Sequence, residues 1–255
     1  MTLGLPVSTL YAFLLVLARV AGLLAFLPLA AFSSAPGSAR AFLAVELALA
    51  LFPSWPNLPG TLPSLAQLTL WSLAEAGFGI TISLAVAFLT EAFQIATQVL
   101  GLQAGYGYAT TIDPTSQADA GVLQVTTALI SGLLFLALGL DREVFRLLAA
   151  SFEKFPAGSW APAAASVDGL VRLGSGMFSL GWRLAMPVVA LLLLLDVSLA
   201  VLGRMQQQLQ LLSLAFPLKM LAALVLLAAL APVFARLFER SAARALGALW
   251  QVTGR

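Results

Sequence analysis

Residues 101–121 read GLQAGYGYATTIDPTSQADAG. The segments on either side, residues 65–100 and 122–140, are apolar enough to lie in lipid, whereas this polar, glycine-rich stretch is not. Backbone outside a helix or closed sheet is tolerated at membrane depth only where protein covers it or water adjoins it. We therefore expect the loop to lie outside the membrane or to line a cavity.

The residues of the loop favour a defined conformation. Gly105 permits backbone angles that a Cβ would forbid. Pro114 holds Asp113 extended, and Asp113 can then cap a helix whose first position is the proline. Ser116 and Asp119 have the spacing of a capping box. An ordinary interhelical turn is the alternative, but such a turn needs only about five residues, and long loops in compact proteins are usually functional.

The composition indicates a polytopic membrane protein. The chain has 255 residues, of which 61% are hydrophobic and 9% charged, and its mean hydropathy is +0.99. Soluble domains are about 25% charged. The net charge of +2 is scattered, which argues against nucleic-acid binding, and the absence of His and Cys excludes disulfides, Ser-His-Asp triads and the usual zinc sites. We predict no catalytic residue, no metal site and no cofactor.

The fold class predicted is all-α, with about six long, partly broken hydrophobic helices arranged as hairpins. The apolar segments are residues 8–32, 39–52, 65–100, 121–139, 168–202 and 214–234. As one helix the third would be about 54 Å long, beyond a hydrocarbon core of roughly 30 Å, so it must bend, break near Gly77–Gly79 or project from the bilayer. Residues 141–155 predict an interfacial amphipathic helix, and residues 235–255 a basic one.

We expect residues 1–255 to form a single integral-membrane domain with two similar halves. Residues 1–155 contain the loop, residues 167–255 form a helical hairpin, and a Pro/Ala/Ser-rich linker joins them. Under a six-span model, Lys and Arg collect on the side of both termini, which places the termini in the cytoplasm.

Polar residues inside the apolar segments need partners. Arg19 is either a pathway residue or half of an interhelical contact with a carboxylate or a backbone carbonyl. A line of small and polar residues, here called the seam, winds along the third segment: Glu75, Gly79, Ser83, Ala87, Glu91, Gln94 and Gln98. We expect the seam to be buried against protein, either as a pore lining or as a helix–helix interface.

Asp196 and Lys219 are equidistant from the midpoint between Gln207 and Gln208, the centre of a second polar break. An antiparallel hairpin turning there brings both side chains to the same depth, where pairing is the cheapest way to retain two charges. The alternative is that Lys219 extends to the interface while Asp196 contacts another helix.

Two motifs carry a resemblance to a known family. The loop GLQAGYGYATTIDPTS and, further along, LAFPLKMLAAL resemble the FliR family of the flagellar (type III) export gate, as does LARVAGLLAFLPL in the first segment. The matching positions are Gly101, Gln103, Gly105, Asp113, Pro114, Thr115 and Ser116 in the loop, Phe216, Pro217 and Lys219 in the second motif, and Glu75 and Gly79 in the third segment. Gln117 stands where the family usually has Gly, and residues 207–210 read QQLQ where it commonly has PQLN.

The resemblance implies a non-enzymatic channel subunit of the bacterial inner membrane and flagellar basal body. Such a subunit joins FliP-like and FliQ-like proteins in a helical channel for unfolded flagellar subunits, and an FlhB-like protein associates with the closed gate. Residues 105–121 would then project into the lumen as a plug. The related virulence-type SctT family is the nearest alternative, although Thr115 and Ser116 look more flagellar.

Two other functions are compatible with parts of the sequence. Polar breaks at corresponding positions of two halves are typical of small-molecule or ion transporters, but the intramembrane charges here are scattered and build no evident site. An intramembrane enzyme would have only Asp113, Asp119, Glu75 and Glu91 as acid–base groups, and no two of them have the spacing that places carboxylates on one helix face.

Overall fold

The computed structural model describes residues 6–28, 36–56, 63–106, 122–156, 158–160, 164–205 and 211–253. Within these ranges every regular element is helical, which confirms the predicted all-α fold. The α-helices there are α1 (Val7–Phe26), α2 (Gly37–Ala50), α3 (Leu65–Ala104), α4 (Val122–Ala137), α5 (Leu140–Lys154), α6 (Ala164–Met205) and α7 (Leu211–Thr253). A 3₁₀ helix, Phe52–Ser54, follows α2.

Local sequence chemistry sets several helix ends. Before α3, the amide of Gln67 donates to Ser64 Oγ at 3.3 Å, and the amide of Ser64 donates to Gln67 Oε1 at 3.0 Å. This reciprocal pair is a capping box. Between α4 and α5, Gly139 has a φ of +68°, which a residue without Cβ adopts readily, and the two helices meet at an angle of 62°.

Three helices are longer than a membrane span. Helices α3, α6 and α7 have 40, 42 and 43 residues, so each is about 60 Å or more in length, whereas about 20 residues cross a hydrocarbon core. The break suggested near Gly77–Gly79 is wrong, because α3 is continuous there. The sixth segment and the basic tail, predicted as separate, form the single helix α7, which also contains Pro217 and Pro232.

The described helices provide fewer spans than the six used to count charges. Four are long and apolar enough to cross a membrane, namely α1, α3, α6 and α7, and a fifth span results if the bent pair α4 and α5 is taken as one. Helix α2, with 14 residues, is too short. The location of the termini therefore stays a prediction.

The chain divides into two compact units, each built from separated stretches. Unit 1 comprises Met1–Leu89, Phe135–Gly174 and Ser241–Arg255, and unit 2 comprises Thr90–Leu134 and Ser175–Arg240. Both units draw on residues before and after the linker at 156–166. The division into an N-terminal and a C-terminal half stays a prediction.

In unit 1, glycines allow α1 and α3 to cross with their backbones in contact. A Cβ on Gly79 would overlap the carbonyl of Arg19, and a Cβ on Gly22 would overlap the carbonyl of Ala76. The hydroxyl of Ser83 donates to the Gly22 carbonyl at 3.3 Å. Gly79 therefore serves close packing between helices within the chain, which explains why α3 does not break there.

Helix α5 also packs inside unit 1. Its predicted apolar face is buried: Val144, Leu147, Leu148, Ser151 and Phe152. The prediction that this face lies at the membrane interface is wrong, because Ser151 and Phe152 contact Arg19 of α1.

Unit 2 is organised around the second part of α3. The ring of Phe93 packs against those of Phe234 and Phe238 at centroid distances of 6.4 and 5.2 Å. Gly181 of α6 lies against the same helix, since a Cβ there would be 2.8 Å from the Ala92 carbonyl. Helices α6 and α7 thus both pack on α3 within this unit.

The glycine crossing predicts a specific sensitivity. We expect Gly79→Ala to lower the thermal unfolding midpoint in detergent, because the added Cβ meets backbone atoms that cannot rotate away; overpacking of this kind costs about 1–3 kcal/mol. Gly77→Ala is the matched control, since its nearest neighbour is the Trp160 ring at an ordinary 3.5 Å. Equal midpoints for the two variants would contradict the close crossing.

Candidate functional site

Arg19 is the centre of a buried polar cluster in unit 1, here called the Arg19 cluster. Arg19 and Glu75 are both fully buried, and Arg19 Nε donates to Glu75 Oε2 at 2.5 Å. Arg19 Nη1 donates to Ser151 Oγ at 2.9 Å, and Nη2 donates to the Phe155 carbonyl at 2.9 Å. The guanidinium thus holds α1, α3, α5 and the residue after α5 together.

Two aromatic rings complete the surroundings of the guanidinium. Its central carbon lies 4.1 Å from the Phe152 ring centroid and 4.7 Å from that of Phe78. Cations are attracted to the faces of aromatic rings, more strongly where water is excluded. Of the two roles proposed for Arg19, the structure has the interhelical contact, with both a carboxylate and a backbone carbonyl as acceptors.

The segment after α5 closes the cluster over Glu75. The amide of Gly158 donates to Glu75 Oε1 at 2.7 Å, so both carboxylate oxygens are engaged. Gly158 has a φ of +85°, and a Cβ there would lie 2.8 Å from the Trp71 ring. Both its backbone conformation and its contact with Trp71 therefore require glycine.

In unit 2, α3 ends where the polar loop begins. Gly105 has a φ of +88°, its amide donates to the Leu102 carbonyl, and the amide of Tyr106 donates to the Gly101 carbonyl. These two hydrogen bonds and the left-handed glycine form a Schellman motif, which ends a helix while satisfying its last carbonyls. The glycines at 101–105 therefore define the direction in which the chain leaves α3.

Beside this helix end, three polar side chains form the core of what we call the loop-root cluster. Lys219 Nζ lies 2.9 Å from Asp196 Oδ1, the pairing that the hairpin spacing predicts. Gln103 Nε2 donates to Asp196 Oδ2 at 3.1 Å. Lys219 is 13% exposed and Asp196 37% exposed, so the ion pair is partly shielded from its surroundings. The three residues join α3, α6 and α7.

Two further contacts fix the first residues of the loop to α7. The Tyr106 hydroxyl donates to the Met220 carbonyl at 3.3 Å. A Cβ on Gly105 would lie 3.0 Å from the Phe216 ring, so that ring packs directly on the glycine. Burial raises the pKa of Tyr106, which keeps its hydroxyl protonated as a donor. With these contacts, the loop-root cluster comprises Gln103, Gly105, Tyr106, Asp196, Phe216, Lys219 and Met220.

The structure separates the predicted site residues into two groups. Glu75 and Gly79 lie in unit 1, and the following lie in unit 2: Gly101, Gln103, Gly105, Asp196, Phe216, Pro217 and Lys219. Pro217 is exposed within α7. The positions Asp113, Pro114, Thr115 and Ser116 lie outside the described residues. The roles of all these residues stay predictions.

Burial along the seam changes partway. Glu75, Gly79 and Ser83 are buried, whereas Glu91 and Gln98 are exposed. The expectation of burial is therefore right within this chain only for the first part of the seam. In the described ranges, no three acidic side chains come close enough to hold a metal ion.

Several residues of the clusters were not singled out from the sequence. Ser151 was placed on the apolar face of α5, and a polar residue on such a face was the available signal for a buried partner. Tyr106, Gly158 and the Phe155 carbonyl gave no signal, because their contacts join distant parts of the chain.

Comparison with known proteins gives a consistent result. A family model described as "Bacterial export proteins, family 1" matches residues 10–245. The flagellar biosynthetic protein FliR of Escherichia coli (strain K12) is 31% identical over 88% of this chain and 85% of its own length. FliR of Pectobacterium carotovorum is 29% identical over 70% and 69%, and FliR of Aquifex aeolicus 26% identical over 75% and 74%.

The Arg19 cluster predicts strong coupling between its two charges. We expect Arg19→Met and Glu75→Gln each to lower the thermal unfolding midpoint markedly, because breaking a buried pair typically costs about 3–5 kcal/mol. The double variant should lose less than the sum of the two. Arg146→Met is the control, since it breaks an exposed pair with Glu143, worth about 0–1 kcal/mol. Strict additivity of the two buried substitutions would refute the coupling.

Proposed function

The chain belongs to family 1 of the bacterial export proteins, the FliR family, and from this membership we propose that it is a non-enzymatic, membrane-integral subunit of the flagellar protein export apparatus. The FliR proteins compared above are all flagellar, which favours this role over a virulence-type secretion system. The membrane in question is the bacterial inner membrane, at the flagellar basal body.

In this proposal the chain joins FliP-like and FliQ-like subunits to form a channel, and an FlhB-like protein associates with the closed gate. The channel conducts unfolded flagellar subunits. Exposed apolar side chains along α6 support an assembly with other proteins, since Phe178, Trp182 and Leu194 are 62, 56 and 63% exposed on a helix too long for one span.

Residues 105–121 act as a plug in the lumen of that channel. The observation that supports this role is the fixed departure of the chain from α3. Gly105 and Tyr106 are tied to α7, and Gln103 is tied to the ion pair of Asp196 and Lys219. A plug must withstand solute pressure without displacement, and a root held by three helices provides that resistance.

The transporter alternative has less support. Its argument rested on broken helices, whereas α3 continues to the loop as one helix. The charges of Arg19, Glu75, Asp196 and Lys219 are engaged with one another rather than facing a common site. Flux of a defined small solute through the purified chain in liposomes would restore this alternative.

The plug role has a direct test. We expect deletion of residues 109–118, which leaves the loop-root cluster intact, to yield an assembled complex that conducts ions and small solutes across a planar bilayer. Gln117→Gly is the control, because it keeps the loop length and gives the residue usual in the family. Unchanged conductance of the assembled deletion complex would exclude the plug.

The ion pair of the loop root has a separate test. We expect Asp196→Asn and Lys219→Met each to increase leakage through the complex, because each leaves an unpaired polar group beside Gln103 and loosens the root. The double variant should leak less than the sum of the two predicts. Asp168→Asn, which breaks an exposed pair with Arg172 on α6, should behave as wild type. Independent effects of the two substitutions would show that the pair does not stabilise the root.

A further inference from the structure

Arg183 is an exposed charge in an apolar stretch of α6. Between Arg172 and Asp196 it is the only charged residue. The apolar side chains beside it on the helix surface are exposed too, with Trp182 at 56% and Met186 at 43%. A cation therefore projects from an apolar helix face.

Within the described residues, Arg183 has no hydrogen bond, ion pair or ring contact, in contrast to other charges of α6. Arg172 pairs with Asp168, and Asp196 pairs with Lys219. Gly181 packs on Ala92, which places Glu91 of α3 at about the height of Arg183, yet no ion pair joins the two. A counter-charge for Arg183 has to come from outside the part of the chain that the structure describes.

The position of Arg183 in the helix makes this need severe. At 1.5 Å per residue, Arg172 is about 16 Å away along the axis and Asp196 about 20 Å away. If Arg183 lies inside the hydrocarbon, its charge costs about 2.5–3.5 kcal/mol or more without a partner.

If Arg183 instead lies at the membrane boundary, one side of it must be outside the hydrocarbon. The side towards Arg172 contains exposed Phe178 and Trp182, which would then face water. Contact with another protein relieves the cost in both positions, but lipid headgroups relieve it only in the second.

We propose that a helix of a neighbouring subunit packs across Phe178, Trp182, Arg183 and Met186 and places a carboxylate against the Arg183 guanidinium. The planar guanidinium suits a carboxylate because it can donate two parallel hydrogen bonds. The inference rests on the proposed function only in assuming that the chain works within an assembly, and it does not depend on the plug.

The first test measures assembly. We expect Arg183→Gln to lower the yield of solubilised complex on size-exclusion chromatography at least about tenfold, since an unpaired carboxylate would remain at the interface. Arg183→Lys should lose less, because it keeps the charge. Arg172→Gln, on the same helix, is the control and should assemble as wild type. Wild-type yield of Arg183→Gln complex would overturn the proposal.

The second test keeps the proposal falsifiable if the variants reduce folding. The chain has no cysteine, so Ser179→Cys gives a single attachment point for a benzophenone maleimide, at an exposed position one turn from Arg183. Irradiation of wild-type-like complex should cross-link it to a partner helix that contains Asp or Glu in apolar sequence. Replacing that acid by Lys should rescue Arg183→Glu. Cross-linking to lipid alone, or to a helix without an acid, would overturn the proposal.

Discussion

A fully buried arginine constrains unit 1 more than any other residue there. Arg19 has nitrogen donors that must all find acceptors, because a buried charge without partners costs several kcal/mol. Its acceptors come from α3, from α5 and from the backbone after α5, which are far apart in the sequence. The positions of these three segments around α1 are therefore coupled. The glycine crossing at Gly22 and Gly79 brings α1 close enough to α3 for the contact with Glu75.

The loop-root cluster applies the same physics at the start of the polar loop. Asp196 accepts hydrogen bonds from Lys219 and Gln103, so three helices converge on one carboxylate. The Schellman motif at Gly105 and the contact between Tyr106 and Met220 determine how the chain leaves α3. Polar groups thus position the loop root, while apolar packing such as that of Phe93 with Phe238 holds the helices behind it.

The charges that the chain leaves unpaired are as informative as those it pairs. The Arg19 cluster and the loop-root cluster satisfy their charges internally, and these contacts account for the fold of each unit. Arg183 lies on an exposed apolar face without such a contact among the described residues. This contrast separates the residues that make the fold from those that face an assembly. It fits a family whose members work in protein export, since a channel subunit has to present interfaces as well as fold.

The sequence by itself determined the helical class, the positions of the long helices, the turn at Gly105 and the buried face of α5, because hydrophobic periodicity and glycine conformation act within a few residues. It also indicated the pair of Asp196 and Lys219, because a hairpin relates depths by simple symmetry. Only the tertiary structure decided that Gly79 packs on Arg19 rather than breaking α3, that Glu75 is the partner of Arg19, and that Gln103 joins Asp196. Each of these contacts joins residues more than 50 positions apart, and which distant helices meet depends on the packing of the whole unit.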